Sequence, residues 1–294
     1  MQKRATFIIQ TFQQLEVTLN PASRLAQQVD VFLDRKQILP RFIEPDHPLF
    51  QVAIEAHRDL SQITFSLNEL LPFVPRKELK TRLRRLVQDN VLPQDSPTRS
   101  PGRDAQCELF VAALCAKAQL QPVFDESPDI RCILAKQALG VAVKRIKSPP
   151  EHFDDRFEQR MREAAEQVEK SGVPGIIVTD VSQSLNPTNW RIPIQVSDSE
   201  FDAAWRAEMV RLKTRFEKPL QEWTRGRNVR GVILIDHKIR CSPMKVWQME
   251  LYSSPLNLSV VNQRRRREFE LFYDHFQQAV CNPGETRFIE PKLG

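Results

Sequence analysis

Residues 127–146 read Ser-Pro-Asp-Ile-Arg-Cys-Ile-Leu-Ala-Lys-Gln-Ala-Leu-Gly-Val-Ala-Val-Lys-Arg-Ile, and apolar runs in this stretch are interrupted by single charged residues. The runs at 130–134 and 139–146 are rich in branched side chains, which favours two β-strands. Asp129 stands at the mouth of the first run, and Lys144 lies inside the second. Charged groups beside a core cost several kcal/mol unless they are paired or bound to an ion, so both residues are candidates for chemistry.

The segments around this stretch alternate between helical and extended patterns. Before it, residues 104–119 form a largely apolar helix with Asp104 as the expected N-cap, and Glu108 interrupts that apolar run. A short strand follows at 121–124. After it, the patterns predict helices at 151–171, 199–224 and 260–280, and strands at 176–181, 230–236 and 246–253. The mixture predicts an α/β fold, with a mixed sheet flanked by helices.

The first 90 residues have a different character, because apolar residues recur there at helical spacing. The last helical segment, 77–91, carries a basic face that could touch phosphate or simply be solvated: Lys80, Arg82, Arg84 and Arg85. Prolines, a glycine and small polar residues then mark a linker. The sequence thus predicts a helical domain at 1–90, a linker at 91–103 and an α/β domain at 104–294.

Composition bounds the class of protein. The chain has 294 residues, of which 41% are hydrophobic and 27% charged, which is typical of a globular protein. Its net charge of +6 and its pI near 9.2 favour a polyanionic partner such as nucleic acid. No run approaches the length of a membrane helix, and neither a P-loop, a Rossmann fingerprint nor a nucleophile elbow occurs.

The five cysteines form no CxxC pair and have no histidine at zinc-ligand spacing. We therefore expect buried free thiols in a reducing compartment. The N-terminus also lacks an apolar run of secretory length, so we expect a cytoplasmic protein without a membrane segment.

At this point the sequence resembles the PD-(D/E)xK, or restriction-endonuclease-like, nuclease superfamily. The resemblance rests on Pro128-Asp129, on the strand that ends Val143-Lys144-Arg145, and on the order helix, three strands, helix, strand. Glu108 in the preceding helix and the segment Ala164-Ala165-Glu166-Gln167 in the following helix are also similar to what such nucleases show. The resemblance covers about residues 104–181 and implies a restriction-endonuclease-like sheet.

The resemblance implies metal-dependent hydrolysis of DNA phosphodiester bonds, with Mg²⁺ or Mn²⁺ as cofactor. Asp129 would bind the metal, with Glu108 and the backbone carbonyl of Val143 as further ligands. Lys144 would orient the attacking water. Hard cations prefer such oxygen ligands and neutralise charge on the transferring phosphoryl group. An endonuclease of bacterial, antiviral defence would suit the family.

One position departs from the family pattern. The second acid of the motif stands two residues before the lysine, and this chain has Ala142 there. Three explanations stand. The alanine is a deliberate inactivating change, or an acid from helix 151–171 has taken over the role, or the domain is a non-catalytic pseudonuclease that binds nucleic acid or a partner protein. Glu158 is the best-spaced substitute, with Glu163 and Glu166 behind it.

Structural explanations remain beside these roles. Glu108 could face solvent, Asp129 could cap the turn after Pro128, and Lys144 could belong to an exposed strand end. His237 is expected to be structural. For nucleic-acid contacts the sequence suggests four basic residues: Arg145, Lys147, Arg264 and Arg265. The helical domain is expected to mediate homo-oligomer or partner contacts, if any.

Overall fold

The computed structural model describes residues 1–33, 50–87, 89, 100–147, 150–185, 198–225, 228–241, 247–256 and 262–281. The chain divides into two compact units. Of the described residues, the first unit contains those within 1–117 together with 239–241 and 247–250, and the second contains those within 118–238 and 251–281.

The first unit is built from five helices: α1 (Gln2–Gln14), α2 (Arg24–Leu33), α3 (Phe50–Leu70), α4 (Arg76–Leu86) and α5 (Pro101–Lys117). Helix α3 packs against α1, α2 and α5, and α4 packs against α5. The apolar residues at helical spacing form the core, as in α4, where Leu79, Leu83 and Leu86 are buried. The predicted helical character of residues 1–90 is confirmed for the described part of this segment.

Helix α5 begins three residues earlier than predicted. Pro101 occupies its first turn, where the missing N–H is not needed and the fixed φ suits a helix. The N–H of Asp104 donates to the carbonyl of Ser100, so Asp104 lies inside the helix and is not its N-cap. Helix α5 groups with the first unit, although the sequence analysis assigns it to the second domain. Most of the predicted linker, residues 91–99, lies outside the described residues.

The second unit follows the predicted alternation. The strands and main helices after α5 are β1 (Val123–Phe124), β2 (Ile130–Leu134), β3 (Gln137–Arg145), α6 (Phe153–Lys170), β4 (Gly175–Asp180), the single turn α7 (Ser182–Leu185), α8 (Asp198–Thr224), β5 (Val229–Cys241), β6 (Trp247–Leu256) and α9 (Gln263–Cys281). The last residues of β5, from 239, and the first residues of β6, to 250, group with the first unit. The six strands form one sheet in the order β1-β2-β3-β4-β5-β6. Strands β1, β2 and β3 pair antiparallel, whereas β3, β4 and β5 pair parallel. The predicted α/β class with a mixed sheet flanked by helices is confirmed.

The two faces of this sheet carry different helices. Ala142, Ile177 and Val232 face α6 and α8 and share their core with residues such as Phe157. The opposite face meets α9, because a Cβ on Gly231 would lie 2.2 Å from the ring of Phe269. Strand alternation then places the even-numbered side chains of β3, including that of Lys144, on the α6 face.

Two expectations on composition have an outcome in the structure. Cys107, Cys115 and Cys132 are free and buried, as predicted. Among the described residues, no helix combines the length and apolarity needed to cross a membrane.

Candidate functional site

The carboxylate of Asp129 lies just before β2 and accepts a hydrogen bond that a strand residue would otherwise accept from β3. The backbone N–H of Val143 points toward β2, which begins only at Ile130, so no strand residue is left to accept its hydrogen bond. Oδ2 of Asp129 accepts that bond at 2.7 Å. The N–H and C=O of one strand residue point to the same side, so the carbonyl of Val143 also faces Asp129. Two of the predicted metal ligands therefore lie together.

Gln167 of α6 joins Asp129 to Lys144. Its Nε2 donates to Oδ1 of Asp129 at 2.8 Å, and its Oε1 accepts a hydrogen bond from Nζ of Lys144 at 2.7 Å. The three side chains are partly buried. The structure therefore brings together Asp129, Lys144 and one residue of the segment 164–167, and it connects them through a neutral amide. We call this set the Asp129–Gln167–Lys144 network.

The bend before β2, which contains Ser127 and Pro128, is held against β3 and α6. A Cβ on Gly140 would lie 2.4 Å from Cγ of Pro128, so the absence of a side chain at Gly140 lets Pro128 lie directly over β3. Oγ of Ser127 donates to the backbone carbonyl of Gln167 at 3.1 Å. These two contacts fix the position from which Asp129 reaches Val143 and Gln167.

Position 142 faces the core and not an open cleft. Ala142 is fully buried in the cluster formed by α6, α8 and the sheet. Ala164, Ala165 and Val168 of α6 belong to the same apolar cluster. A carboxylate at this position would have to displace apolar side chains or bend toward the network.

The other predicted acids have partners of their own. Glu108 belongs to the first unit, where its Oε2 accepts a bond from Nη1 of Arg82 at 2.6 Å between two mostly buried side chains. Glu158 pairs with Arg162 one helical turn away, at 2.5 Å. It also precedes Gln167 by nine residues on α6, which separates the two by roughly 13 Å along the helix axis. The structure thus does not bring Glu158 to Asp129.

The residues around Asp129 in its own unit do not fit the metal site that the resemblance implies. That site needs a second acid beside the first, and position 142 offers none. Asp129 already accepts two N–H donors, and the nearest charged group joined to it through hydrogen bonds is the cationic Lys144. In the described part of the chain, no three His, Cys, Asp or Glu residues are grouped so as to hold a metal ion.

The basic residues predicted to contact DNA lie in two places. Arg145 and Lys147 are partly buried at the carboxyl end of β3, and Nη1 of Arg145 donates to Oε1 of Gln183 at 3.4 Å. Arg264 and Arg265 lie in the first turn of α9, where Nε of Arg264 binds Glu268 at 3.1 Å.

A buried polar cluster at the end of β4, beside His237 of β5, was not predicted as a unit. Oδ1 of Asp180 accepts bonds from the N–H and the hydroxyl of Ser182, and Oγ of Ser182 accepts the backbone N–H of His237 at 2.8 Å. Nε2 of His237 lies 3.7 Å from Oδ2 of Asp180. Because the hydroxyl of Ser182 is directed at a carboxylate and not at an imidazole, this arrangement lacks the base of a nucleophilic triad. It joins the end of β4 to the neighbouring strand β5, in agreement with a structural role for His237.

Comparisons with protein-family models, with curated proteins and with solved structures find no match for this chain.

Proposed function

We propose that this protein binds DNA through the nuclease-like part of its second unit without hydrolysing it. The observation that supports this most directly is the closed Asp129–Gln167–Lys144 network. In it, the acid and the lysine of the motif satisfy each other through an amide, where a nuclease would present them to a metal ion and a phosphate.

The charges around Asp129 do not favour hydrolysis. Mg²⁺ and Mn²⁺ lower the barrier of phosphodiester hydrolysis by neutralising charge on the reacting group, and they need a dense set of oxygen ligands. The second unit offers Asp129 and the carbonyl of Val143 at this place, while the second acid is replaced by the buried Ala142. The metal-dependent nuclease that the resemblance implies is therefore the less supported of the two functions.

The cations in and beside the Asp129–Gln167–Lys144 network favour DNA binding. Lys144, Arg145 and Lys147 place three positive charges within four residues at the carboxyl end of β3. In α/β sheets, ligands bind outside the carboxyl ends of parallel strands, and β3, β4 and β5 run parallel here. Lysine and arginine at this edge would contact phosphates, the sequence-independent part of DNA recognition.

Fluorescence anisotropy with a short labelled DNA duplex tests the binding, measured over a range of salt concentrations and in the presence of a chelator. We expect salt-dependent binding by the unmodified protein. Replacing Arg145 and Lys147 by glutamine should weaken the salt dependence, so that the magnitude of the slope of log K against log salt concentration falls by about two. Replacing Arg160 and Arg211 by glutamine removes one partly buried and one exposed arginine, which pair with Glu163 and Glu208, and should change the slope less.

A plasmid-cleavage assay in Mg²⁺ or Mn²⁺ tests the absence of hydrolysis. No cleavage is expected from the unmodified protein. Metal-dependent cleavage that disappears in Lys144→Ala would overturn the non-hydrolytic part and establish a nuclease. If the protein shows no salt-dependent affinity for the duplex, or if the Arg145/Lys147 variant binds unchanged, the proposed DNA site is wrong.

A further inference from the structure

Helix α4 in the first unit presents a basic stripe to solvent. Six of its eleven residues are Lys or Arg, and Glu78 is its one acidic residue. Its three leucines are buried, and the opposite side of the helix carries exposed Lys77, Thr81, Arg84 and Arg85. These residues follow one another at spacings of four, three and one, so they line a single face. We call this face the α4 stripe.

The positive charge of the α4 stripe is only partly balanced. Lys80, beside the stripe, binds Glu16 at 2.5 Å, and this hydrogen bond, together with the charges of Lys80 and Arg84, lowers the pKa of Glu16. Among the residues that the structure describes, Lys77 and Arg85 form no ion pair with an acid.

The arginine cluster of α9 differs in this respect. There, Arg264 and Arg266 each pair with a glutamate four residues later, at 3.1 and 2.7 Å. Such pairs satisfy the charged groups within the helix, as expected of a solvated helix face. Within the described residues, the α4 stripe lacks this internal compensation at Lys77 and Arg85.

An exposed aromatic ring lies next to the stripe in sequence. Phe73 is 62% exposed in the turn between α3 and α4, and Leu71 in the same turn is 38% exposed. Among the exposed large apolar side chains of the described residues, Phe73 is the one aromatic ring, and Leu71 lies two residues before it. A flat ring beside cations is the combination by which proteins hold single-stranded nucleic acids, since bases stack on the ring while cations meet the phosphates.

We propose that the α4 stripe and Phe73 bind single-stranded nucleic acid, with phosphates along Lys77, Arg84 and Arg85 and a base stacked on Phe73. Lys77 and Arg84 are seven residues apart, about 10 Å along the helix axis, so the stripe serves a short run of nucleotides. A single strand fits better than a duplex because its base faces are open to the ring. This surface lies in the other unit from the proposed duplex site and does not depend on it.

An anionic membrane is the competing partner for a basic helix near apolar side chains. A helix that lies in a membrane interface needs a continuous apolar face to insert. In α4 that face is already used, because Leu79, Leu83 and Leu86 are buried in the first unit. Phe73 and Leu71 alone offer too little apolar surface for insertion, whereas one ring suffices to stack one base.

The experiment measures anisotropy of a labelled oligothymidine with the full chain and four variants. Lys77→Gln combined with Arg85→Gln should weaken binding and reduce the magnitude of the slope of log K against log salt concentration by about 1.4. Phe73→Ala should weaken binding about 5- to 150-fold while leaving the salt slope unchanged, as loss of a stacked base predicts. Val210→Ala, at a residue 63% exposed on α8, is the matched control for lost apolar surface, and Arg160→Gln with Arg211→Gln is the control for lost charge.

Circular dichroism verifies folding of every variant, which is expected because the changed side chains are exposed, apart from the partly buried Arg160. The proposal is overturned if the control variants weaken oligothymidine binding as much as the α4 variants, or if the α4 variants bind unchanged. Binding to phosphatidylserine vesicles that is lost in Phe73→Ala, without an effect on oligothymidine, would assign the surface to membranes. The Arg145/Lys147 variant separates the two sites. It should lose duplex binding, and adding Phe73→Ala to it should still weaken oligothymidine binding.

Discussion

Asp59 of the first unit and Asp129 of the second each hold a carboxylate against several donors, but the charges of those donors differ. Asp59 is completely buried and receives hydrogen bonds from three helices: Arg24, Gln28, Arg58 and Gln106. Asp129 is partly buried and receives a backbone N–H and the neutral amide of Gln167. A dry core demands full charge compensation, whereas a partly exposed edge allows a carboxylate with neutral donors.

The pKa of Asp59 shows how strong its compensation is. Burial acts to raise the pKa of this carboxyl, but the nearby guanidinium groups of Arg58, Arg24 and Arg103 outweigh burial and hold it below its ordinary value. Burial, together with the charge of Arg24, in turn lowers the pKa of Arg103 to about 9. The comparison teaches that an acid in a helical core needs cationic partners, whereas an acid at a partly exposed sheet edge is satisfied by neutral donors.

The largest expected effect is the loss of the charge at Asp59. Asp59→Asn leaves buried arginines without their shared countercharge, which should lower the free energy of unfolding by about 3–5 kcal/mol. Urea unfolding followed by circular dichroism measures this. Asp30→Asn, at an exposed position of α2, is the control and should change stability by less than about 0.5 kcal/mol. Equal stability of the two variants would mean that Asp59 does not hold the core together.

The pH dependence of stability also tests the role of the charge on Asp59. Because folding lowers the pKa of Asp59, its contribution is fully present above the ordinary value of 3.8 and is lost as the pH falls below that value. The unmodified protein should therefore lose stability below this pH more steeply than Asp59→Asn does. Urea unfolding at a series of acidic pH values measures this difference. Parallel pH profiles of the two proteins would contradict the assignment.

The next effect concerns the position of the missing acid. Ala142→Glu places a carboxylate in the apolar cluster under α6 and should lower the free energy of unfolding by roughly 2–4 kcal/mol. Ala138→Glu is the matched control, since it makes the same change on the same face of β3 at a partly exposed position. If Ala142→Glu is instead as stable as the control and binds Mg²⁺ in calorimetry, the network can open into a metal site, and the nuclease interpretation gains support.

A smaller effect is expected from the bridge between Asp129 and Lys144. Gln167→Ala removes two hydrogen bonds and leaves a partly buried acid and lysine without their shared partner, at a cost of about 1–3 kcal/mol. Gln159→Ala removes an exposed glutamine from the same helix and serves as control. Urea unfolding of both variants measures the difference. No difference between them would show that Asp129 and Lys144 do not depend on the amide.

The local elements could be predicted from the sequence because neighbouring residues specify them. Alternating valines around Ala142 and Lys144 indicated β3, and the spacing of Phe153, Phe157 and Met161 indicated α6; both are confirmed. The predicted start of α5 at residue 104 was wrong. Proline and glycine at 101 and 102 are typical of linkers as well as of a first helical turn. Asp129 and Lys144 could be singled out since each breaks an apolar pattern, and the segment 164–167 pointed toward Gln167.

The amino-acid order alone thus specified the helices, the strands and two polar residues, Asp129 just before β2 and Lys144 in β3, because those signals lie within a few positions along the chain. Which polar groups meet was decided by packing: Glu108 met Arg82, 26 positions earlier, and Asp129 met Gln167, 38 positions later. Charge and residue type make many such pairs chemically acceptable. Only the geometry of the packed helices and strands selects among them, because a hydrogen bond requires its donor and acceptor to lie about 3 Å apart.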